Sequence, residues 1–501
     1  MEKSPKSPKL LFSFRAFLGF LVFIGLVALY MQRVNMGISI ICMVNHTWVA
    51  ENSKIYKSEM KLSTNLNKQE TCHLAQKNSS LTDGQFQWPK KTQGMVLSAF
   101  FYGYFLTQIP GGWLSIKIGG IRTFGLSILL GSITTLLIPF ASTQNIYVLL
   151  GLRFLTGFFH GPVFPSLGTL WSHWVPPNER SRILGLATSG VQFGSIIALP
   201  LGGFLCIHGF SGGWPSIFYI YGSIGLIWSI LFLIFMSESP KNQKCISNQE
   251  SCYIIQTTKK SPHKPKSTPW KELFTSKICL SIYLVGFCFN WGGYLYLTQI
   301  PTYVRDVLKF DIQSNGILSS IPFIANWVVI FVSSFCADYL ITKKILSKLA
   351  VRRLFTGLGM YLPAIGLIFL SFVDCSMPYL GVILLTLGLA FNGCAGTGGF
   401  FINCHEVGGP FNGILIGIQN MIGTIPGFAG PYVVSLITAN QKQEEWKIVL
   451  WITSVLYFFG CTVYIIFADV NLQHWAKVDD SKNVKEQIND EELNFKLLDN
   501  K

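Results

Sequence analysis

Long apolar runs separated by short polar segments occupy most of the chain. A helix needs about 20 mostly apolar residues to cross the hydrocarbon core of a bilayer, and runs of this kind recur from one end of the sequence to the other. The predicted spans are 16–44, 92–115, 123–141, 146–170, 182–206, 214–236, 278–303, 314–340, 354–373, 378–402, 412–438 and 447–468. The pattern predicts an all-α polytopic membrane protein with twelve transmembrane helices.

Two long polar segments interrupt the series of spans. Residues 45–91 follow the first span, and residues 237–277, rich in Lys, Ser and Pro, separate the sixth span from the seventh. The predicted organisation is a tail, a six-helix bundle, a linker, a second six-helix bundle and an acidic tail, at 1–15, 16–236, 237–277, 278–468 and 469–501. Two bundles of six spans are typical of transporters built from repeated units.

The basic residues and the glycosylation sequons predict the same orientation. With a cytosolic N-terminus, the short inner loops carry nine Lys and Arg residues and the short outer loops carry four, as the positive-inside rule requires. The two Asn-x-Ser/Thr sequons, at Asn45 and Asn78, both fall in the segment 45–91, which this orientation places outside the cell or in a lumen. Asn45 and Asn78 are therefore predicted glycosylation sites, and both termini are predicted to be cytosolic.

The composition excludes several other classes of protein. Charged residues make up 13% of the chain and hydrophobic residues 50%, with a mean hydropathy of +0.42, whereas an ordinary soluble domain is about 25% charged. The net charge of +15 is spread over loops between apolar runs, so orientation in the membrane explains it without a nucleic-acid partner. The twelve cysteines are scattered singly, which predicts buried thiols and neither a zinc site nor a disulfide framework.

Two arginines lie inside apolar runs. A charge at the centre of a membrane helix costs roughly 2.5–3.5 kcal/mol even on lenient insertion scales. At 1.5 Å per residue, Arg153 in the fourth span and Arg33 in the first lie roughly 10 Å and 16 Å below the outer surface. A guanidinium group matches the oxygens of a carboxylate or phosphate in two-point fashion. Arg33 and Arg153 are the predicted anion-binding pair; the alternative for each is a structural bond to a backbone carbonyl or a carboxylate.

His160 follows Arg153 by seven residues, nearly two helical turns, so both project from one face of the span. Gly157 lies between them and is expected to leave space on that face. Two interpretations of His160 stay open: a protonatable group in the transport pathway, or a neutral imidazole bonded to a neighbouring helix.

Several strings resemble the major facilitator superfamily and, within it, solute carrier family 17, a family of anion transporters. They are "KKTQGMVLSAFFYGYFLTQIPGGW", "YMQRVNMGISI", "LWSHWVPPNERSR", "FNWGGYLYL", "NGILSSIPFI" and "GTIPGFAGP". The resemblance runs from about residue 16 to 477 and is closest to the sialin-like and sodium-phosphate-cotransporter-like branch. It implies the major facilitator fold, with spans one, four, seven and ten around a central pathway. It also implies anion-binding arginines at the positions of Arg33 and Arg153.

The chain differs from this family at the residues that the family uses for coupling to an ion. Sialin-like and glutamate-carrying members have a glutamate at the position of His160, and Thr156 replaces another acid of the sialin pattern. Phe289 matches the span-seven arginine of the glutamate carriers, and Gly168 and Gly286 stand where sialin has histidines. The resemblance therefore implies anion binding but does not supply the mechanism of coupling to protons.

Further polar residues are candidates for contact or gating. Asn290 and Tyr294 in span seven are predicted to hydrogen-bond the anion, with plain packing as the alternative. Asn403 and Glu406 at the inner end of span ten are predicted to form a gate or to pair helices. Glu179 is expected to switch between Arg180 and Arg182 as a cytosolic lock, and Asp338 to pair with Arg352 or Arg353.

These observations favour a secondary active or facilitative transporter of small anions working by alternating access. The candidate substrates are organic acids such as sialate, acidic amino acids, urate and inorganic phosphate, with H+, Na+ or the membrane potential as the driving force. The alternatives are a sodium-coupled inorganic phosphate cotransporter and a transport-dead receptor or scaffold. The sequence predicts no enzyme and no bound cofactor, a monomer in the bilayer with a small anionic substrate as partner, and a plasma, lysosomal or vesicular membrane.

Overall fold

The computed structural model describes residues 13–51, 83–176, 179–258, 268–310 and 312–476, and these residues form an almost entirely helical protein. In these ranges there is no strand beyond a single bridge between Val44 and Phe86. The twelve long helices are α1 (Phe14–Met43), α2 (Lys90–Ile118), α3 (Gly120–Gln144), α4 (Ile146–Trp174), α5 (Arg180–His208), α6 (Trp214–Phe235), α7 (Lys277–Asp306), α8 (Ile312–Thr342), α9 (Lys348–Leu370), α10 (Pro378–Gly408), α11 (Asn412–Ile437) and α12 (Gln443–Phe467).

Within the described residues, ten of these helices are long and apolar enough to cross a membrane. The other two are α2 and α11, which contain prolines in their interiors, Pro110 in α2 and Pro426 and Pro431 in α11. The predicted all-α membrane architecture is confirmed, while the full count of twelve crossings stays a prediction. We call the helix ends near Met43 the outer ends and those near Phe14 the inner ends.

Local sequence explains where several of these helices begin and bend. Ser13, Asn145 and Ser347 cap α1, α4 and α9 by accepting hydrogen bonds from backbone N–H groups of the first turn, which satisfies donors that the helix leaves free. The helix α4 is interrupted at Gly161–Pro162, because a proline inside a helix removes a backbone donor.

The helices form two bundles, α1–α6 and α7–α12, and small residues let their members approach closely. Gly103 and Gly157 mark one such approach, where the backbones of α2 and α4 meet without room for a Cβ atom at either position. In membranes, van der Waals packing and hydrogen bonds between helices replace the hydrophobic effect as the main source of association. The small residues of the chain therefore decide which helix faces can touch.

The bundles are joined at their outer ends and through the middle. Lys90 of α2 donates to Asp306 of α7 at 2.7 Å, and Ser98 donates to the carbonyl oxygen of Phe428 at 2.8 Å. In the inner half of α2, Gln108 donates to Thr424 of α11 at 2.7 Å and accepts from Asn420 at 2.6 Å. The bundles are therefore in contact on the outer side and also along α2 and α11.

At the inner ends the ion pairs of the described residues stay within one half of the molecule. Arg15 of α1 binds Glu179, which precedes α5, and Glu250 of the linker. Arg352 of α9 binds Glu406 of α10. Ion pairs between the bundles are thus found at the outer ends, and ion pairs within one half at the inner ends.

The linker is partly helical and is attached to the N-terminal bundle. Its helix Asn248–Thr258 places the Glu250 carboxylate against the start of α1, where it accepts from the backbone N–H groups of Phe14 and Arg15 at 2.9 and 3.1 Å. A carboxylate at a helix N-terminus is favourable because the helix dipole is positive there. The linker thereby caps the first helix of the bundle.

The expectation that the chain has no disulfide is wrong. Cys42 at the outer end of α1 and Cys206 at the outer end of α5 form a disulfide, and Cys375 is also disulfide-bonded. The first two cysteines are 164 residues apart in sequence, so single spacing along the chain gave no sign of their proximity. Five cysteines are free and buried, as predicted: Cys279, Cys288, Cys394, Cys404 and Cys461. For Cys245, Cys252 and Cys336, which are free but exposed, the prediction of buried thiols is wrong.

Candidate functional site

Arg33 lies in a cage of aromatic rings. Its guanidinium carbon is 4.7 Å from the ring centre of Tyr104, and four further rings lie at 5.3–5.5 Å: Tyr30, Phe100, Phe101 and Tyr294. Ring faces attract cations, and the attraction is stronger in a desolvated place. The cage explains how α1 carries a charge at this depth.

The hydrogen bonds of Arg33 leave part of its donor capacity unused. Nη1 donates to the hydroxyl of Tyr30 at 3.4 Å, and Nη2 to that of Tyr294 at 3.2 Å, while the buried Nε has no partner. Tyr294 belongs to α7, so this bond crosses from one bundle to the other. In the described residues no carboxylate pairs with Arg33, and its positive charge remains uncompensated.

Arg153 is buried with fewer bonds still. Its side chain is 2% exposed, its guanidinium carbon lies 5.3 Å from the ring centre of Phe100, and neither Nε nor Nη1 has a hydrogen-bond partner. An unpaired buried charge costs several kcal/mol. The expected alternative, a structural bond to a carbonyl or carboxylate, is absent among the described residues, and two of its nitrogen atoms have no hydrogen-bond partner.

The ring of Phe100 brings the two arginines together. Both guanidinium carbons lie within 5.5 Å of its centre, so they are at most about 11 Å apart, the sum of the two distances. The similar depth predicted for Arg33 and Arg153 corresponds to this common neighbour. Their role in binding stays a prediction.

His160 sits beside the same ring but makes no hydrogen bond. It is 1% exposed, its ring meets that of Phe100 edge to face at 5.7 Å, and neither ring nitrogen has a partner. The ring lies against Gly131 of α3, where a Cβ would collide with it. The interpretation of His160 as hydrogen-bonded to a neighbouring helix is wrong, because the ring makes only packing contacts with its described neighbours.

The expected space at Gly157 is also absent. The backbone of Phe100 occupies the position that a side chain at 157 would take. The face of α4 that carries Arg153, Gly157 and His160 therefore packs against α2 and α3. The prediction placed these residues on one face correctly, but it misjudged what that face meets.

The two candidates from span seven have different surroundings. The hydroxyl of Tyr294 contacts Arg33. The Asn290 amide donates to the carbonyl oxygen of Gly286 in its own helix at 2.8 Å and packs on Gly423 of α11. Tyr294 thus belongs to the arginine site, and Asn290 lies one turn of α7 further inward, at the seam with α11.

The predicted lock at Glu179 has a partner that the sequence did not indicate. Its carboxylate accepts from Nε and Nη2 of Arg15 at 2.5 and 3.1 Å, and the side chains of Arg180 and Arg182 lie outside the described part of the chain. Arg15 is fully buried and 164 residues away in sequence, which is why local spacing did not indicate it. A switching role for Glu179 stays a prediction.

The gating candidates of the second bundle are held between helices. Glu406 accepts from Nη2 of Arg352 at 2.8 Å, and Asn403 donates to the hydroxyl of Tyr464 at 2.9 Å, as a helix-pairing role requires. Asp338 is exposed, and its predicted pairing with Arg352 or Arg353 is wrong. Arg352 instead binds the closer carboxylate of Glu406, while Nη2 of Arg353 donates to the carbonyl oxygen of Ala468.

The predicted glycosylation sites lie beyond the outer end of α1. Asn45 is half-buried, and its side-chain oxygen accepts from the backbone N–H of Trp48 at 2.7 Å, starting the short helix His46–Glu51. Asn78 lies outside the described residues. Glycosylation of both stays a prediction.

Sequence reasoning missed the uncharged residues that shape the site. Phe100 and Tyr104 come from the string "FFYGYF", whose repeated aromatics at helical spacing were the available signal. Two neutral residues of α1 were also missed: Gln32 donates to Ser132 of α3 at 2.7 Å, and the Asn35 amide is completely buried without a partner.

The outer ion cluster was missed as well. It consists of Lys90, Arg305, Asp306 and His46, drawn from α2, α7 and the short helix after α1. Its four residues are separated by up to 260 positions, although Lys90 and the Arg305–Asp306 pair stand visibly at the ends of apolar runs. The cluster closes the outer side above the arginine site.

Known proteins match the chain along nearly its whole length. The model of the "Major Facilitator Superfamily" matches residues 22–431. "Uncharacterized transporter slc-17.2" of Caenorhabditis elegans is 38% identical over 95% of this chain and 96% of its own length. Sialin of Homo sapiens is 35% identical, covering 92% and 90%, and a "Putative inorganic phosphate cotransporter" of Drosophila melanogaster is 34% identical, covering 96% and 90%.

A solved structure has the same fold. It is a bacterial homologue of the human lysosomal transporter Spinster in an inward-facing and occupied conformation. Its chain superposes with a TM-score of 0.62 at 13% identity, covering 91% of this chain and 97% of that one. At this identity the likeness concerns the architecture alone.

Proposed function

The chain belongs to solute carrier family 17 of the major facilitator superfamily, and from that premise we propose that it carries small anions across its membrane by alternating access. Its long apolar helices place it in the membrane as a multi-pass protein. The substrate is a small organic acid of the size of sialate, an acidic amino acid or urate.

One observation carries the proposal: two buried guanidinium groups share one aromatic ring, and the described residues offer neither of them a carboxylate. A buried cation without a counter-charge is unfavourable. An anionic substrate supplies that charge and finds unused N–H donors on both arginines. The substrate thereby improves the electrostatics of the site that receives it.

The cross-bundle bond of Tyr294 relates the site to the alternating motion. Nη2 of Arg33 on the N-terminal bundle meets a hydroxyl of the C-terminal bundle, so an anion at Arg33 lies at the boundary of the two bodies that move. Rocking of bundles around a fixed central site is how transporters of two repeats work. The outer ion cluster joins the two bundles between this site and the outer ends.

Counterflow in proteoliposomes tests the proposal. Purified protein is reconstituted with unlabelled anion inside, and entry of labelled sialate, aspartate, glutamate and urate is measured. Arg33→Gln and Arg153→Gln each keep a polar side chain but lose the charge, and we expect at least about a hundredfold lower entry, equivalent to roughly 2.7 kcal/mol. Arg122→Gln, at an exposed arginine of the inner end of α3, is the matched control.

The outcomes of counterflow are distinct. Saturable entry that survives in both Arg33→Gln and Arg153→Gln would contradict the two-arginine site. No saturable entry of any anion in the native chain would favour the alternative of a transport-dead receptor. Thermal stability of each variant is measured in parallel, so that loss of fold is not mistaken for loss of binding.

Inorganic phosphate is the second candidate substrate, since a relative 34% identical to this chain is described as a putative inorganic phosphate cotransporter. A phosphate group offers the same oxygens to a guanidinium fork. Uptake of labelled phosphate under an inward sodium gradient, compared with a potassium gradient, distinguishes sodium-coupled phosphate transport from organic anion transport.

The remaining proposals concern coupling, assembly and place. We propose that no cofactor is bound and that H+ or Na+ is co-transported. Uptake under an imposed pH gradient, compared with uptake under an imposed sodium gradient, shows which of the two ions is coupled. The chain functions as a monomer, as light scattering of the purified protein tests. Its membrane is the plasma membrane or that of a lysosome or vesicle, and microscopy of the tagged protein tells these apart.

A further inference from the structure

His46 lies where the two bundles meet at the outer surface. It begins the short helix His46–Glu51, just beyond the outer end of α1. Nη1 of Arg305, from α7 of the opposite bundle, is 3.0 Å from its Nδ1 and 2.5 Å from its Nε2. The imidazole is therefore part of the closed outer interface.

The hydrogen bonds around His46 suit a neutral ring. Nε2 lies 2.8 Å from the carbonyl oxygen of Ile41, and both ring nitrogens lie within 3.0 Å of Nη1 of Arg305. A neutral ring has one nitrogen that donates and one that can accept from Arg305. A second ring proton would remove that acceptor, point a donor at a donor and set one positive charge against another.

The charges around His46 add to this conflict. Lys90 of α2 donates to Asp306 at 2.7 Å, and Arg305 binds the other oxygen of the same carboxylate. One carboxylate thus already serves two cations. Lys309, next along the chain after α7, adds a further positive charge near this pair.

The other carboxylate near His46 contacts its backbone rather than its ring. Asp83 accepts from the backbone N–H groups of His46 and Thr47 at 3.1 and 3.2 Å, where it caps the short helix. Glu51 lies on the same short helix, on its exposed side. A charged imidazole would find no unused carboxylate among the described groups that it faces.

We propose that His46 is a proton-binding site of the outer gate, and that a proton taken up from the outer side opens the gate by breaking the contact between His46 and Arg305. The proposal rests on the alternating-access part of the proposed function. It requires no particular anion, and it concerns a residue remote from the arginine site.

The direction of the effect follows from linkage. In the closed state, burial and the charges of Arg305 and Lys90 hold the pKa of His46 well below its ordinary value. In an open state the ring is hydrated and its pKa returns to about 6.5. Protons therefore bind the open state more tightly, and lowering the pH from 7.5 to 5.5 raises the open-to-closed ratio about tenfold.

A cysteine placed beneath the gate reports its opening. Ser98 is 1% exposed and bonds across the bundles to Phe428, so Ser98→Cys is reached from outside only when the outer side opens. Full-length protein in right-side-out proteoliposomes is exposed to an impermeant maleimide at pH 5.5 and 7.5. Labelling of the parent chain without Ser98→Cys measures the background of native thiols.

The variant His46→Gln supplies the comparison, because its amide keeps a donor and an acceptor but takes no proton. Both chains carry Ser98→Cys, and at low pH fewer of their thiols are ionised, which slows labelling equally in both. We therefore divide the labelling rate of the chain that retains His46 by the rate of the His46→Gln chain, and this ratio is free of the effect of thiol ionisation. We expect this ratio to rise about tenfold from pH 7.5 to 5.5. His208→Gln, at an exposed histidine of the outer end of α5, leaves the pH response of the parent unchanged.

Two results would overturn the proposal: a ratio that does not change with pH, or an equal loss of pH response in His208→Gln. Arg305→Gln tests whether the facing cation causes the effect. Without that cation we expect a smaller pH response although His46 is still present. Anion counterflow is measured on the same vesicles. A pH response without counterflow refutes the proposed function and not the gate, and counterflow without a pH response refutes only the gate.

Discussion

The interiors of the two bundles differ in charge although their architecture is the same. In the N-terminal bundle, Arg33 and Arg153 are buried far from either end of their helices, next to His160. In the described C-terminal bundle, the charged side chains stay near the helix ends, as at Arg305, Asp306, Arg352 and Glu406. The shared six-helix architecture therefore does not determine where buried charges lie, and each bundle has its own set of polar residues in its interior.

The polar groups deep in the C-terminal bundle are neutral. Asn392 of α10 donates to the hydroxyl of Tyr457 at 3.1 Å, and Asn403 donates to that of Tyr464 at 2.9 Å. Such bonds between helices are worth about 1 kcal/mol in membranes. Both bundles hold some buried polar groups without a partner, but in the described residues the buried cations deep in the membrane belong to the N-terminal bundle. This is expected if the N-terminal bundle provides the charge that binds the anion and the C-terminal bundle moves against it.

The largest expected difference between the bundles lies at their inner ends. Arg15 is fully buried and joins two carboxylates, Glu179 and Glu250, so Arg15→Ala removes a buried cation from both. We expect it to destabilise the protein by about 3–5 kcal/mol. Arg352→Ala removes the cation from one carboxylate, Glu406, whose side chain is 18% exposed, and a donor from the carbonyl oxygen of Gly398; we expect it to cost about 1–3 kcal/mol.

Thermal unfolding in one detergent measures both changes, with Arg122→Ala as the exposed control. A drop in melting temperature that is equal for Arg15→Ala and Arg352→Ala would show that the linker adds nothing to the N-terminal bundle.

A second pair of substitutions compares unpaired with paired polar groups. Arg153→Met removes a buried charge that has no described counter-charge, and we expect it to stabilise the substrate-free protein by about 1–4 kcal/mol. Asn392→Leu removes a donor that has a partner and leaves the hydroxyl of Tyr457 buried without it, at a cost of about 1–3 kcal/mol. The two melting temperatures should move in opposite directions; a fall for Arg153→Met would mean that the guanidinium is already satisfied.

The smallest effect concerns the single bond that crosses the bundles at the site. Tyr294→Phe keeps the ring beside Arg33 and removes its hydroxyl, which is worth about 1 kcal/mol. We expect KM for the anion to rise roughly fivefold with little change in the maximal rate. Tyr296→Phe is the matched control, because the Tyr296 hydroxyl is buried within the C-terminal bundle without a partner. An equal response of the two variants would assign the effect to the aromatic packing of α7.

The sequence was informative where a residue conflicts with its surroundings. Burying the charges of Arg33 and Arg153 in an apolar helix costs free energy, and this cost singled them out as candidates before any geometry was known. The long apolar runs likewise predicted the helices, since length and hydropathy are local properties. Their orientation and the polar linker follow from charges that are also read locally.

What the sequence could not show depends on which helix faces meet. The cage around Arg33 combines rings from α1, α2 and α7, and only the packing of those helices selects them. For Glu179 the sequence suggested only the adjacent Arg180 and Arg182, and it gave no sign of Arg15, which reaches Glu179 from the start of the chain. Gly157 was taken as a gap, although a glycine on a helix face is more often where another backbone approaches.

The disulfide between Cys42 and Cys206 constrains the order in which the molecule is made. Because 164 residues separate the two thiols, the bond can form only after α5 has been synthesised and its outer end translocated. At that moment the second bundle has not yet left the ribosome, and domains generally fold in the order of synthesis. The cation-bearing bundle can therefore be covalently closed during translation, before the partner that will rock against it exists.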